Sequence, residues 1–245
     1  MSKTNGLPAT TPYHGATPDI LERPPPAKAS VGVVCRRTRQ DRSVRGEMSI
    51  RPASHALLDP RDDLAGNSTV EALALSLEYT SHAVWLKDFR LVAIESLPVR
   101  DEFYQPLSWR LSMGYGADKY RVIAGDKSAG DVDFGFGMTH SFLGPFLGYV
   151  MVIGRAGFAD AFDAGYALGP GAAIGTIWPW GKRFRAMAEV NATRFYAGDA
   201  AFISEVKIEV SQRTGKRSSL DLLARTQSSA DAHVTELIAK INYYF

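Results

Sequence analysis

Five histidines, one cysteine and several runs of charge are where this 245-residue chain could do chemistry. His14, His55, His82, His140 and His233 are scattered, with no pair four apart on a helix and no metal-ligand spacing. Neither a metal nor a cofactor is expected. The lone Cys35 excludes an intramolecular disulfide and a cysteine-based zinc site. His140 and Ser141 in "MTHSF" have the residue types of a hydrolase pair, but neighbours on a strand point to opposite faces and cannot meet. "GYALGPGAAIG" is glycine-rich without the Lys-Ser/Thr of a phosphate loop. The arginines of "RRTRQDRSVR" (Arg36, Arg37, Arg39, Arg42, Arg45) could grip anionic headgroups or lipopolysaccharide phosphates through bidentate guanidinium contacts. A solvated hairpin turn accounts for them more simply.

The best site candidates lie in two charged segments between strands, "HALLDPRDDLAGN" and "LPVRDEFYQPLSW", and just beside them. They are Arg51, His55, Asp59, Arg100, Asp101 and Trp109. These residue types suit charged latches that close one end of a barrel, or dock a periplasmic domain, better than catalysis. No catalytic residue is expected.

What must position them is a long series of alternating strands. In "SWRLSMGYG", Trp109, Leu111, Met113 and Tyr115 alternate with Arg110, Ser112, Gly114 and Gly116. "DVDFGFGMTHS" sets Val132, Phe134, Phe136 and Met138 against Asp131, Asp133 and glycines, and "FLGYVMVIG" puts Leu147, Tyr149, Met151 and Ile153 on its apolar face. The series predicts about 12 antiparallel strands, with 10 as the alternative, of roughly 9 to 13 residues, the length a tilted strand needs to cross a bilayer. Residues 29–245 are assigned to this all-β barrel. Residues 1–28, rich in Pro and Thr and lacking a secretory signal, are read as a disordered leader or linker.

Alternation alone fits a soluble barrel as well as a membrane barrel, and content decides between them. The polar faces hold glycine, alanine and charges of both signs: Arg185, Glu189, Glu205, Lys207, Glu209, Asp221, Arg225, Glu236 and Lys240. Such a set suits an ion-pair network filling a narrow lumen. Aromatics fall near strand ends (Trp85, Tyr104, Trp109, Trp178, Trp180, Tyr196, Tyr243), where membrane interfaces would lie. A net charge of +2 disfavours nucleic acid as a partner.

The chain ends on "ELIAKINYYF", with Phe245 last and Tyr243, Ile241, Ala239 and Leu237 at alternate positions before it. This resembles the signal read by the outer membrane assembly machinery. "RPASHALLDPRDDL" and "ESLPVRDEFYQPLSWRLSMG" resemble the C-terminal barrel of a Gram-negative family whose periplasmic N-terminal domain is similar to the Lnb-type lipoprotein transacylase. That resemblance implies an outer membrane location, with lipid and lipopolysaccharide as surroundings. It implies no activity for the barrel, and the catalytic-like domain is not in this sequence. The expected role is a membrane anchor or docking platform for a periplasmic domain or partner, not a general porin. The alternatives are an outer membrane lipid-modifying enzyme and a soluble lipocalin-like barrel binding an apolar ligand.

Overall fold

The computed structural model describes residues 27–55, 57–58, 67–142, 145–181 and 183–245. The expected leader lies outside these apart from Ala27 and Lys28, and Lys28 already belongs to the first strand. In chain order the elements are β1 (Lys28–Arg37), β2 (Arg42–Arg51), β3 (Ala53–His55), β4 (Ser68–Tyr79), β5 (Val84–Ser96), β6 (Val99–Arg100) and β7 (Ser108–Gly116). A single helical turn, α1 (Arg121–Ala124), precedes β8 (Ala129–Phe142), β9 (Phe146–Phe158), β10 (Tyr166–Trp180), β11 (Phe184–Phe195), β12 (Ala197–Gly198), β13 (Ala201–Arg213), β14 (Ser218–Ser228) and β15 (His233–Tyr244).

Leaving aside the short β3, β6 and β12, twelve long strands each pair antiparallel with their neighbours in sequence. The ring shuts where β15 meets β1, in register from Lys28 opposite Tyr244 to Arg37 opposite Thr235. The result is a closed, all-β, twelve-stranded barrel with both ends of the ring at one rim, called here the terminus end.

Its faces are inverted relative to a soluble protein. Val31, Val33, Leu111, Phe134, Phe136, Val152 and Ile208 stand exposed outside, whereas Arg36, Glu47, Glu78, Lys87, Asp131 and Glu236 are buried inside. An exposed apolar belt around buried charge is the arrangement of a barrel whose outer solvent is lipid, and it removes the lipocalin-like reading. Leu237, Ala239, Ile241, Tyr243 and Phe245 all face outward, with Glu236, Ile238, Asn242 and Tyr244 buried on the other face. Trp85 and Tyr196 lie near the loop end of the belt and Trp109, Trp180 and Tyr243 near the terminus end, as interface aromatics would.

Two departures from simple alternation correct the sequence reading. In β9 the set Leu147, Tyr149, Met151 and Ile153 points into the lumen, and Val150 and Val152 take the outside. The strand is apolar on both faces because its inner face seats an apolar plug. In β5 the register slips as Ser76 and Leu77 of β4 pass from Asp88 to Leu86, so consecutive Lys87 and Asp88 both line the lumen. A bulge of this kind is invisible to a period-two reading.

Candidate functional site

The lumen is filled from three directions. At the terminus end, Leu57 and Leu58 from the segment after β3 and Leu97 from the segment after β5 fold back into the barrel. They pack on Leu147, Tyr149, Met151 and Ile153 of β9, Ala173 and Ile177 of β10 and Met187 of β11, with Val99 alongside. Gly175 makes room for this plug, since a Cβ there would lie 2.3 Å from the Tyr149 ring. Arg185 Nη1 donates to the Leu57 carbonyl at 2.9 Å, and the Leu97 amide donates to the Asn67 carbonyl at 2.7 Å.

The opposite, loop end is stopped by the 117–128 segment. Tyr120 is fully buried, edge-on to Phe162 with ring centroids 5.6 Å apart, and packs with Phe195, Ile203, Val122, Ala124 and Val234. Gly157 leaves space for that ring, because a Cβ would meet its Cζ at 2.5 Å. Ion pairs fasten this plug to the wall. Arg225 grips Asp118 with two bonds of 2.6 and 2.5 Å and also contacts Glu236, and Arg45 of β2 reaches Asp126 at 3.3 Å, while Arg121 pairs with Asp126 within the plug itself. Burial alone would push the Asp118 carboxyl up, but Arg225, Lys87 and Arg121 hold it well below the ordinary range. Arg121, Arg36 and Arg45 likewise overcome burial and lower Asp126.

Between the plugs runs a charged layer. Glu47 receives Lys87 at 2.8 Å and Lys240 at 2.5 Å. Arg36 bridges Glu236 at 2.6 Å and Glu78 at 2.5 Å. Lys119 reaches Asp131 and Asp133, both at 2.6 Å, while Glu189 accepts from Tyr149 at 2.6 Å and Arg110 at 3.1 Å. A cavity of about 420 Å³ remains among these groups. Nine basic and nine acidic described residues line it, so it carries no net field that would select one sign of ion.

All nine lumen charges read from the sequence face inward, though not all in one role. Glu189, Glu205, Lys207, Glu209, Arg225 and Lys240 line the cavity, and Asp221 lies 3.5 Å from Lys28 toward the terminus end. Arg185 instead pins the plug through a backbone carbonyl. The arginine cluster divides: Arg36 is a buried lumen residue and not a turn residue, Arg45 is half-buried against Glu78, and Arg37, Arg39 and Arg42 are exposed. Many lumen partners were missed, among them Glu47, Glu78, Lys87, Arg90, Arg110, Asp118, Lys119 and Arg155. Alternation in β2, β4, β7 and β9 was the available signal for Glu47, Glu78, Arg110 and Arg155, and in β5 the bulge blurred it.

The expected latch residues do not form one patch. Arg51 points inward onto Glu71 at 2.5 Å, while Trp109 faces outward. Arg100 Nη2 donates to Gln105 at 2.8 Å, and Asp101 caps its own turn by accepting the amides of Phe103 and Tyr104 at 2.8 and 2.6 Å, which hold its carboxyl below the ordinary range. The backbone of His55 pairs with Val70, and Asp59 lies outside the described residues. Among the described residues this end is filled by Leu57, Leu58 and Leu97, and "LL" and "LPV" within those charged segments were the overlooked cue. Beyond the latch, the turn carries Phe103, Tyr104 and Leu107 as a spur, 96%, 66% and 60% exposed. One further arrangement went unread: Ser228 Oγ lies 2.8 Å from His233 Nδ1 and Thr235 Oγ1 3.3 Å from its Nε2, the reverse of a hydrolase triad, in which the serine meets Nε2 and a carboxylate meets Nδ1.

A family model described as a domain of unknown function, DUF7840, matches residues 26–244. No curated protein matches significantly. Among solved structures, an outer membrane channel of the COG4313 group from Pseudomonas putida F1 is similar with a TM-score of 0.51 and 11% identity, over 91% of this chain and 96% of that one. The KdgM porin in complex with disordered oligogalacturonate follows at 0.46 and 8%, over 88% and 99%, and a loop-deleted OmpT of Vibrio cholerae at 0.42 and 7%, over 89% and 98%. At these identities the likeness is one of fold, that of outer membrane barrels.

Proposed function

The chain belongs to the DUF7840 family, and on that premise we propose that it is an outer membrane anchor, a barrel that holds a docking platform for a periplasmic domain or partner and conducts nothing at rest. The observation that supports this is the lumen, stopped at both ends by apolar clusters and cross-braced between them by buried ion pairs. A porin needs a continuous aqueous path. The exposed spur Phe103–Leu107 at the terminus end is the surface such a platform would offer, because a solvated monomer gains nothing by presenting three large apolar side chains together.

The experiment is single-channel recording in planar bilayers. The anchor reading expects no discrete conductance from the wild-type barrel, and porin-like steps would overturn it. A second reading, a gated channel, is favoured by the 420 Å³ cavity that remains in the lumen and by the fold shared with the Pseudomonas channel. It expects silence from the wild type and steps from a variant that loosens both plugs, Leu57→Ser/Leu58→Ser/Tyr120→Ser. Silence from both leaves the anchor.

A further inference from the structure

On the outside of the loop end, the β1–β2 hairpin turns through Thr38–Asp41, with the Thr38 amide donating to the Asp41 carbonyl at 2.9 Å. Register places Arg37 directly opposite Arg42 across that hairpin, and Arg37 opposite Thr235 on its other side. Two like charges facing each other across a ladder cost stability unless an anion stands between them. A groove of about 730 Å³ opens at this point, lined by Arg37, Thr38, Arg39, Gln40, Asp41, Arg42, His233 and Thr235. Among the described residues none of the three guanidinium groups makes an ion pair, in contrast to Arg36, one position away, which is saturated with carboxylates inside the barrel. Asp41 is the sole acid of the lining, and its carboxylate is turned to the Arg42 amide at 2.7 Å.

The groove begins where the lipid belt ends. Along the outer face of β1 the exposed residues run Val31, Val33, Cys35 and then Arg37, and on β2 Ile50, Met48, Val44 and then Arg42. Apolar side chains therefore give way to arginine within one step, at the depth where acyl chains give way to headgroups. With both ends of the ring at the other rim, as in bacterial barrels whose termini are periplasmic, this rim meets the outer leaflet.

We propose that Arg37, Arg39 and Arg42, with His233 and Thr235 as polar neighbours, form a binding site on the barrel exterior for an outer-leaflet lipid carrying phosphate monoesters. A phosphate monoester offers three acceptor oxygens and close to two negative charges to planar guanidinium forks. A zwitterionic headgroup brings its own cation and is the poorer match. The acyl chains of the same molecule then lie on Val33, Val44 and Leu237, which face outward just below.

The test is native mass spectrometry of the detergent-solubilised full chain titrated with bisphosphorylated lipid A. Wild type is expected to bind it about tenfold more tightly than phosphatidylethanolamine, a preference of the size that one or two charge-assisted hydrogen bonds supply. Arg37→Gln/Arg39→Gln/Arg42→Gln is expected to lose that preference while keeping heat-modifiable gel mobility, the sign of an intact barrel. If the triple variant does not assemble, Arg39→Glu at the tip of the turn serves in its place and is expected to weaken the same preference. An unchanged preference in the folded variant overturns the proposal. So does displacement of the lipid by millimolar inorganic phosphate, which would make the groove a site for free anion only.

Discussion

The two ends of the lumen are closed by different physics. At the terminus end the stopper is leucine packed on leucine, methionine and tyrosine, held through its own backbone by Arg185, Thr69 and Asn67. At the loop end an aromatic and aliphatic stopper is lashed down by carboxylates of the plug segment, Asp118 and Asp126, bound to arginines of the wall and of α1. An apolar stopper resists changes of pH and salt but yields to loss of volume. A charge-tied stopper holds a defined orientation, at the risk that removing one partner strands the other in a dry site.

The largest effect that comparison predicts is at Arg225. Arg225→Ala takes from Asp118 its two-bond partner and from Glu236 one of its cations, with Arg36 still holding Glu236, at a cost of about 3 kcal/mol for breaking a buried pair from one side. It is read as a fall in the temperature at which the barrel loses its heat-modifiable mobility. Leu57→Ala should cost less, about 2–3 kcal/mol of plug closure, as cavity-forming substitutions of buried leucine do. Its signature is terminus-end access: in a Cys35→Ser background, a cysteine-specific probe should react with a cysteine placed at Leu147 when Leu57 is alanine and not when it is leucine. Gly157→Ala pushes on the Tyr120 ring and should cost about 1–2 kcal/mol, with loss of near-ultraviolet circular dichroism from that aromatic cluster.

Acid gives the mildest effect and the sharpest contrast. The Asp118 and Asp126 carboxyls sit below their unfolded value of about 3.9, so their contribution is whole above that pH and fades as the pH falls through the lower folded values. As the pH falls through those lowered values protease should begin to cut the 117–128 segment, with no new cleavage in the leucine-plugged segment near residue 57. Equal sensitivity at both ends would erase the distinction between the two stoppers.

Much of the architecture was legible because lipid and lumen impose opposite demands on alternate residues. Trp109 to Tyr115 and Leu237 to Phe245 declare their faces plainly. The inner side of β9 misled because the residues it seats are far away in sequence, Leu97 fifty or more positions back and Leu57 ninety or more, and nothing local marks an apolar strand as facing a plug rather than lipid. β5 was blurred by its register slip, which puts Lys87 beside Asp88 on one face. Site reading was poorer than fold reading for a related reason. Charge drew attention to Arg100 and Asp101, which are bonded within their own turn to Gln105 and to the Phe103 and Tyr104 amides, while Leu57, Leu58 and Leu97 passed as ordinary loop residues.

Eleven of the twelve long ladders join strands that follow one another along the chain, and each can form as a local hairpin. The twelfth joins Lys28 to Tyr244 and must wait for everything between. Arg36 of β1 and Glu236 of β15 sit opposite each other on that seam and meet at 2.6 Å in the interior. Until the seam shuts, both charges remain in water at an open edge. Zipping it is therefore the step that dehydrates them, and the slowest ladder to form is also the one that locks the electrostatic centre of the barrel into its dry, final state.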